Sequence, residues 1–420
     1  MKVEQTLESP RLASLHQLLL SGNTAALPAF WQEISEQGAP LIEAIEGDKA
    51  HHFVTFLWRE RAETHKVVVW GGPAGLDHPE NNQLTHVLET DLWYKTYRVQ
   101  TDVRGVYSFT VEDTLAGTGR KGTDGRLPVL PDPLNPKVYR DEQEDLVLSL
   151  LELPGSPPQP WIVPHPDARK GQVELHRLRS QILGNERRVW IYTPASYTES
   201  GDPSGLLLLF DGSRYLNLAS LPTILDNLVH TRKIPPLVAV LLDHPDWKTR
   251  NHELACHQPF VDFLTQELMP WVHAHSHVTA DPAQTIVGGS SYGGLAAAFV
   301  GLRAPETFGK VLSQSGSFWW DKHPEEDFGQ EWVTQQFLTS PRLPLRFSFE
   351  VGLKEDWGWM HMVSANRHLR DVLLLKGYEV DYGEFNGYHH FVSWRGSFAD
   401  RLIGLVGKRQ EPKTSISIIG

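Results

Sequence analysis

The stretch that decides the fold is Thr285-Ile286-Val287-Gly288-Gly289-Ser290-Ser291-Tyr292-Gly293-Gly294-Leu295-Ala296-Ala297-Ala298. Thr285 to Val287 is an apolar, strand-like run that breaks into a tight glycine turn and passes into a helix start made of small residues. Gly289, Ser291 and Gly293 fit G-x-S-x-G, the nucleophile elbow, whose glycines admit a strained turn and leave Ser291 projecting from its apex. A plain glycine loop supplies the same string by accident. Strand, turn and Ala-rich helix in that order are what favour the elbow.

Outward from the elbow, strand and helix alternate. Leu206 to Phe210 and Leu237 to Leu242 are continuously apolar, as central strands covered on both faces are. Gln172 to Arg179 and Arg188 to Tyr192 precede them as strand-like runs, and helical patterns fall at Asn217 to Thr231 and Pro259 to His273. Downstream come Lys310 to Ser313, Leu345 to Val351 and Val380 to Phe385. This alternation predicts a doubly wound, mainly parallel sheet, and an elbow in its middle makes it an α/β-hydrolase.

Further toward the N-terminus lies Leu153-Pro154-Gly155-Ser156-Pro157-Pro158-Gln159-Pro160, a linker that sets a boundary near residue 155, between residues 1–154 and 155–420. Ahead of it, Pro10 to Leu20 and Thr24 to Gly38 read as helices. His52 to Trp58, Lys66 to Trp70, Leu92 to Val99 and Val106 to Val111 alternate with period two, which predicts a small β-sandwich. Trp58, Trp70, Trp93 and Tyr97 fit its core better than a ligand site. Ala116 to Arg140, with four prolines, reads as loop, and Glu142 to Leu151 as a short helix.

A chain of 420 residues is long for one core, and 40% hydrophobic with 21% charged residues describes a globular protein. The net charge of -12 argues against nucleic-acid and anionic-membrane partners. Cys256 is the only cysteine, so no internal disulfide forms, and it reads as an inert core filler. The first residues lack an export-type apolar segment, and no apolar stretch reaches about 18 residues. A cytoplasmic protein without a membrane span is expected.

In this fold the triad runs serine, acid, histidine, each after a strand. The strand ending at Val351 is followed by Gly352-Leu353-Lys354-Glu355-Asp356, and the last strand by Asn386-Gly387-Tyr388-His389-His390. Glu355 is the preferred acid over Asp356; either also suits a solvated loop or the cap of the helical pattern that follows. His389 is the preferred base, with His390 in reserve. The serine hydroxyl needs such a base because it is scarcely ionised near neutrality. For the oxyanion hole, the Tyr292 N–H is one donor, and the other comes from Asp211-Gly212-Ser213, at Gly212 or Ser213. His273, His275 and His277 sit where a helix ends and fit charge placement there better than a metal site. No metal and no cofactor are expected.

Gly289 to Trp320, Asn386 to Arg395, Asp132-Pro133-Leu134-Asn135, Leu151 to Pro160, and Arg250 with Glu253-Leu254 together resemble the enterochelin (ferric enterobactin) esterase family, in the esterase D group of α/β-hydrolases. FLWRE and LWYKTY extend the resemblance to that family's N-terminal domain. Tyr388 and His390 depart from the glycine and acidic residue that usually flank the family's histidine. The resemblance implies hydrolysis of a trilactone catecholate siderophore, a small-molecule substrate that brings its own iron. It also implies cationic and aromatic substrate contacts, for which Arg214, Lys354 and Arg395, with Trp319, Trp320 and Trp357, are the candidates. Another carboxylesterase or acyltransferase on the same fold, or a non-catalytic siderophore-binding protein, are the competing expectations.

Overall fold

Ser9 starts the first helix: its hydroxyl accepts from Leu12 N–H at 3.1 Å, and Pro10 occupies the turn where no N–H is needed. In this computed structural model, residues 7–76, 78–113, 128–142, 145–322, 331–356 and 360–407 are described. Two compact units emerge, Met1–Pro157 with Asn386–Val392, and Pro158–Phe385 with Ser393–Gly420.

The first unit opens with α1 (Pro10–Leu20) and α2 (Ala26–Gln37), which stops at Gly38, where φ is +84°. Their apolar faces bury Leu12, Leu15, Phe30 and Ile34 completely. Then come β1 (Leu41–Ile45), β2 (Asp48–Arg59), β3 (Thr64–Gly71), β4 (Thr85–His86), β5 (Leu92–Gln100), β6 (Arg104–Asp113), β7 (Val138–Asp141) and β8 (Leu146–Glu152). They form two antiparallel four-stranded sheets, ordered β1-β2-β5-β4 and β3-β6-β8-β7. Val54 and Phe56 from one sheet meet Val67, Val69, Tyr107 and Phe109 from the other in one core, each such side chain contributing about 1.5–3 kcal/mol. The four aromatics of the sequence reading belong to this sandwich. Trp93 donates to Glu60, Trp70 to Thr110 and Tyr97 to Asn82, while Trp58 packs edge-on against Phe109.

Glu142 to Leu151 is not a helix. Among its described residues, Leu146 to Leu151 belong to β8, preceded by Asp145 at φ +48°. The acidic run and the leucines imitate a helix start, but pairing with β6 and β7 wins: Leu151 is fully buried and the Ser149 hydroxyl accepts from Asp132 N–H. Part of the expected loop at Ala116 to Arg140 is also strand, since Val138 to Arg140 lie in β7; residues 116–127 are outside the described residues.

The second unit holds an eight-stranded sheet of β9 (Gln172–Arg179), β10 (Glu186–Thr193), β11 (Gly205–Phe210), β12 (Leu237–Leu242), β13 (Thr285–Ser290), β14 (Lys310–Gln314), β15 (Arg346–Gly352) and β16 (Glu379–Phe385). Its order is β16-β15-β14-β13-β11-β12-β10-β9, with six adjacent parallel strands and β10 antiparallel to both of its neighbours. This is the expected mainly parallel sheet. All six residues of β12 are buried, which is why that strand is apolar throughout.

The helices are α3 (Gly212–Asn217), α4 (Leu221–His230), α5 (Trp247–Leu254), α6 (Gln258–Phe263), α7 (Met269–His275), α8 (Tyr292–Arg303), α9 (Trp332–Thr339), α10 (Met362–Leu375) and α11 (Phe391–Val406). A π-helical turn, Leu264–Leu268, joins α6 to α7. The expected helix from Asn217 to Thr231 is divided between the end of α3 and α4, at Ser220 with φ +57°. Among the described residues, no helix is long and apolar enough to cross a membrane.

Candidate active site

β13 lies between β11 and β14, so its C-terminal end opens at the middle of the sheet. There Ser291 takes φ 58° and ψ −123°, an unfavourable conformation for a residue with a side chain, and α8 starts at the next residue. The strain is held from both directions: Ser291 N–H donates to Gln314 O at 3.0 Å, and Ser291 O accepts from Ser317 N–H at 3.1 Å. Gly289 is required by close approach, since a Cβ there would stand 2.7 Å from the carbonyl carbon of Gly293. The Ser291 hydroxyl is half-buried and lies 3.5 Å from that of Ser317.

Glu355 and Asp356 part company. Glu355 is fully buried, and its Oε1 accepts from Ser315 Oγ at 2.7 Å and from Gly352 N–H at 3.0 Å. Ser315 Oγ in turn accepts from the Trp394 indole at 2.9 Å. Asp356 is exposed and accepts from Val363 N–H in the first turn of α10 at 2.9 Å, the work of a helix cap.

Beside this chain is Glu350, a buried carboxyl the sequence reading missed. Gln314 Nε2 donates to its Oε1 at 2.7 Å, Ser397 Oγ donates to the same atom, and Arg401 lies 3.5 Å from Oε2. Burial pushes this carboxyl up to about 7, against the opposing pull of Arg401. Its strand position, inside Phe347-Ser348-Phe349-Glu350-Val351, was the available signal: an acidic residue within a buried strand needs partners.

His389 and His390 are half-buried on Asn386–Val392, the segment that groups with the first unit. Within that unit Asn386 Nδ2 donates to Asp102 Oδ1 at 2.5 Å and Gly387 forms a bridge with Arg104. The Tyr388 ring fills the space over Gly105, where a Cβ would meet it at 2.7 Å. The His390 ring packs against Tyr139, with centroids 4.3 Å apart.

At the end of β11, Asp211 adopts φ 57° and leads into α3. Gly212 has no room for a side chain, because a Cβ would lie 2.5 Å from the Leu241 carbonyl carbon. Ser213 N–H donates to Asp243 Oδ1 at 2.9 Å and its hydroxyl to the same oxygen at 3.0 Å. Both polar hydrogens of Ser213 are thereby committed to Asp243. Tyr292 occupies the first position of α8, where a helix N–H lacks an intrahelical acceptor.

Of the charged candidates, Arg214 lies over Trp247 at 5.2 Å from the ring centroid, and Arg395 Nε donates to Gln159 Oε1 at 2.9 Å. Lys354 is half-buried in the turn after β15, and Trp357 lies outside the described residues. Trp319 packs near Tyr292 and Trp320 edge-on to Trp332. In the histidine cluster, His275 Nδ1 is 2.8 Å from Trp271 O and His277 Nε2 is 3.0 Å from Gly201 O. Burial pushes the Cys256 thiol up, so it is no thiolate nucleophile near neutrality.

Residues 180–405 match the esterase family model, and residues 53–162 match the model for the enterochelin esterase N-terminal domain. The iron(III) enterobactin esterase of Escherichia coli O6:H1 is 33% identical over 84% of this chain and 90% of that protein. The chain belongs to the enterochelin esterase family. Like the family, it is a hydrolase acting on esters. The iron(III) salmochelin esterase of the same Escherichia coli strain is 29% identical over 93% of this chain and 96% of that one. In structure, the enterobactin esterase FES from Shigella flexneri, crystallised in the presence of enterobactin, superposes with a TM-score of 0.73 at 28% identity, over 90% of this chain and 97% of that one.

Proposed function

We propose that this enterochelin-esterase family member hydrolyses the ester bonds of a trilactone catecholate siderophore of the enterobactin type, by serine catalysis. Ser291 is the nucleophile, His389 the general base and Glu355 the carboxylate that orients the base and stabilises its imidazolium. The observation that carries the reading is the backbone at Ser291, held at φ 58° and ψ −123° at the mouth of the central strand. Strain of this kind gathers at functional turns, and here it sets the hydroxyl at the start of a helix. The substrate class rests on the enterobactin and salmochelin esterase relatives.

In this reading Ser291 Oγ attacks a lactone carbonyl while His389 takes its proton. Negative charge then moves to the carbonyl oxygen, where the N–H groups of Tyr292 and Gly212 receive it. Collapse breaks the ester bond, and the departing seryl oxygen takes the proton from His389. Water, deprotonated by the same histidine, attacks the acyl carbonyl; the bond to Ser291 Oγ breaks, and His389 returns the proton to that oxygen. Arg214, Lys354, Arg395 and Trp357 are assigned to the bulky aromatic anion, whose iron is cargo and not a resident cofactor. The negatively charged chain, with its one cysteine, works in the cytoplasm on this small molecule, without nucleic-acid or membrane partners.

The test is release of 2,3-dihydroxybenzoylserine from the ferric trilactone. Ser291→Ala and His389→Ala are expected to cut turnover at least about 10³-fold, Ser291→Ala with ligand binding retained. Hydrolysis of simple acyl esters without any action on the trilactone would sink the substrate assignment. Full turnover by Ser291→Ala would sink the nucleophile.

A further inference from the structure

Trp247 opens α5 with half its surface exposed, an unusual place for an indole on a helix end that is otherwise polar. The guanidinium carbons of Arg250 and Arg214 lie 4.6 and 5.2 Å from its ring centroid. Arg250 is buried and clamped by Asp211, with Nε to Oδ1 at 2.5 Å and Nη2 to Oδ2 at 2.6 Å. Burial alone would push the Asp211 carboxyl up, but Arg250 outweighs it and holds the acid ionised. Arg214 is half-buried on the short helix that begins at Gly212. Two guanidiniums thus lie against the one indole, one of them clamped by Asp211. Neighbouring His244 carries no charge near neutrality, because burial drives it down to about 4.

The group is also placed beside the elbow. Asp211 Oδ2 stands 3.5 Å from the point where a Cβ on Gly293 would sit, two residues beyond Ser291. An exposed indole with two guanidiniums against its ring suits a flat, electron-rich ring carrying anionic oxygens: the ring stacks and the oxygens meet the guanidiniums. We infer that Trp247, with Arg214 and Arg250, forms an aryl subsite that takes one catecholate arm of the substrate. The inference rests on the proposed function and adds to it a residue, Trp247, with a defined task. Arg250 is the fixed member, set by Asp211. Arg214 is the half-buried member.

The test uses the full chain. Trp247→Ala is expected to raise KM for the ferric trilactone about tenfold with a smaller change in kcat, and Trp247→Phe to recover most of the loss. In a Ser291→Ala background, calorimetry with 2,3-dihydroxybenzoylglycine should show a parallel tenfold weakening for Trp247→Ala. Arg214→Gln should weaken that ligand while leaving unsubstituted benzoylglycine unchanged. KM and Kd within twofold of the parent in Trp247→Ala would overturn the subsite. Failure of the parent enzyme to cleave any catecholate trilactone would instead overturn the proposed function, and the calorimetry would still report on the subsite by itself.

Discussion

Ser315 Oγ donates to Glu355 Oε1 at 2.7 Å, and the Trp394 indole donates to that same hydroxyl at 2.9 Å. The relay fixes one oxygen of a fully buried carboxylate and makes Glu355, of the two adjacent acids, the one built into the interior. Glu355→Gln is expected to lower kcat by about 10²–10⁴, as loss of the tautomer-fixing acid does in serine hydrolases. Steady-state assays with a melting control decide it. A fall of less than threefold would remove Glu355 from the triad.

Asp356 should behave oppositely. Its carboxylate caps α10, so Asp356→Ala should cost about 1 kcal/mol of stability by chemical denaturation and leave kcat within about twofold. A loss of kcat comparable to that of Glu355→Gln would exchange the two assignments.

With Glu355 as the proposed triad acid, Ser315 is the residue that positions it. Ser315→Ala removes a donor to Oε1, so kcat should fall about tenfold with KM nearly unchanged. A rise in KM alone would point to substrate contact instead.

Gly212→Ala places a Cβ 2.5 Å from the Leu241 carbonyl carbon. Overpacking of this kind costs about 1–3 kcal/mol. The accompanying shift of the oxyanion N–H should cost roughly 10²-fold in kcat. A destabilised variant with parental kcat would exclude Gly212 as the donor.

Glu350 predicts a pH dependence of stability. Its folded-state value of about 7 stands above the ordinary 4.5, so the native state holds a proton that the unfolded chain gives up. The contribution is fully present below about pH 4.5, declines as pH rises, and is gone above about 7, a span of roughly 3 kcal/mol. Glu350→Gln should flatten the denaturation free energy across that window; an unchanged slope would mean that the carboxyl is ionised throughout.

The elbow was legible because the residues it requires are adjacent in sequence: a buried strand, a strained apex and small residues where backbones meet. β11 and β12 were legible because full burial leaves them no polar residues. β8 was not, because its leucines satisfy helical spacing and only its partners β6 and β7 make it a strand. Glu355 and Asp356 cannot be told apart by adjacency. What separates them is a serine 40 positions away and a helix start seven positions on. Trp247 escaped notice for a similar reason, since its two arginines are brought to it by different helices.

The first unit is sequence-discontinuous, because Asn386–Val392 returns to it only after residues 158–385 have been made. During synthesis the sandwich must therefore wait for its last piece. Until Tyr388 arrives, the space over Gly105 and the apolar cluster that the Tyr388 ring joins stay open to water. A fragment ending at residue 157 would consequently be born with an uncovered apolar surface, a target for chaperones and proteases. The full chain acquires that cover only once the segment carrying His389 has left the ribosome.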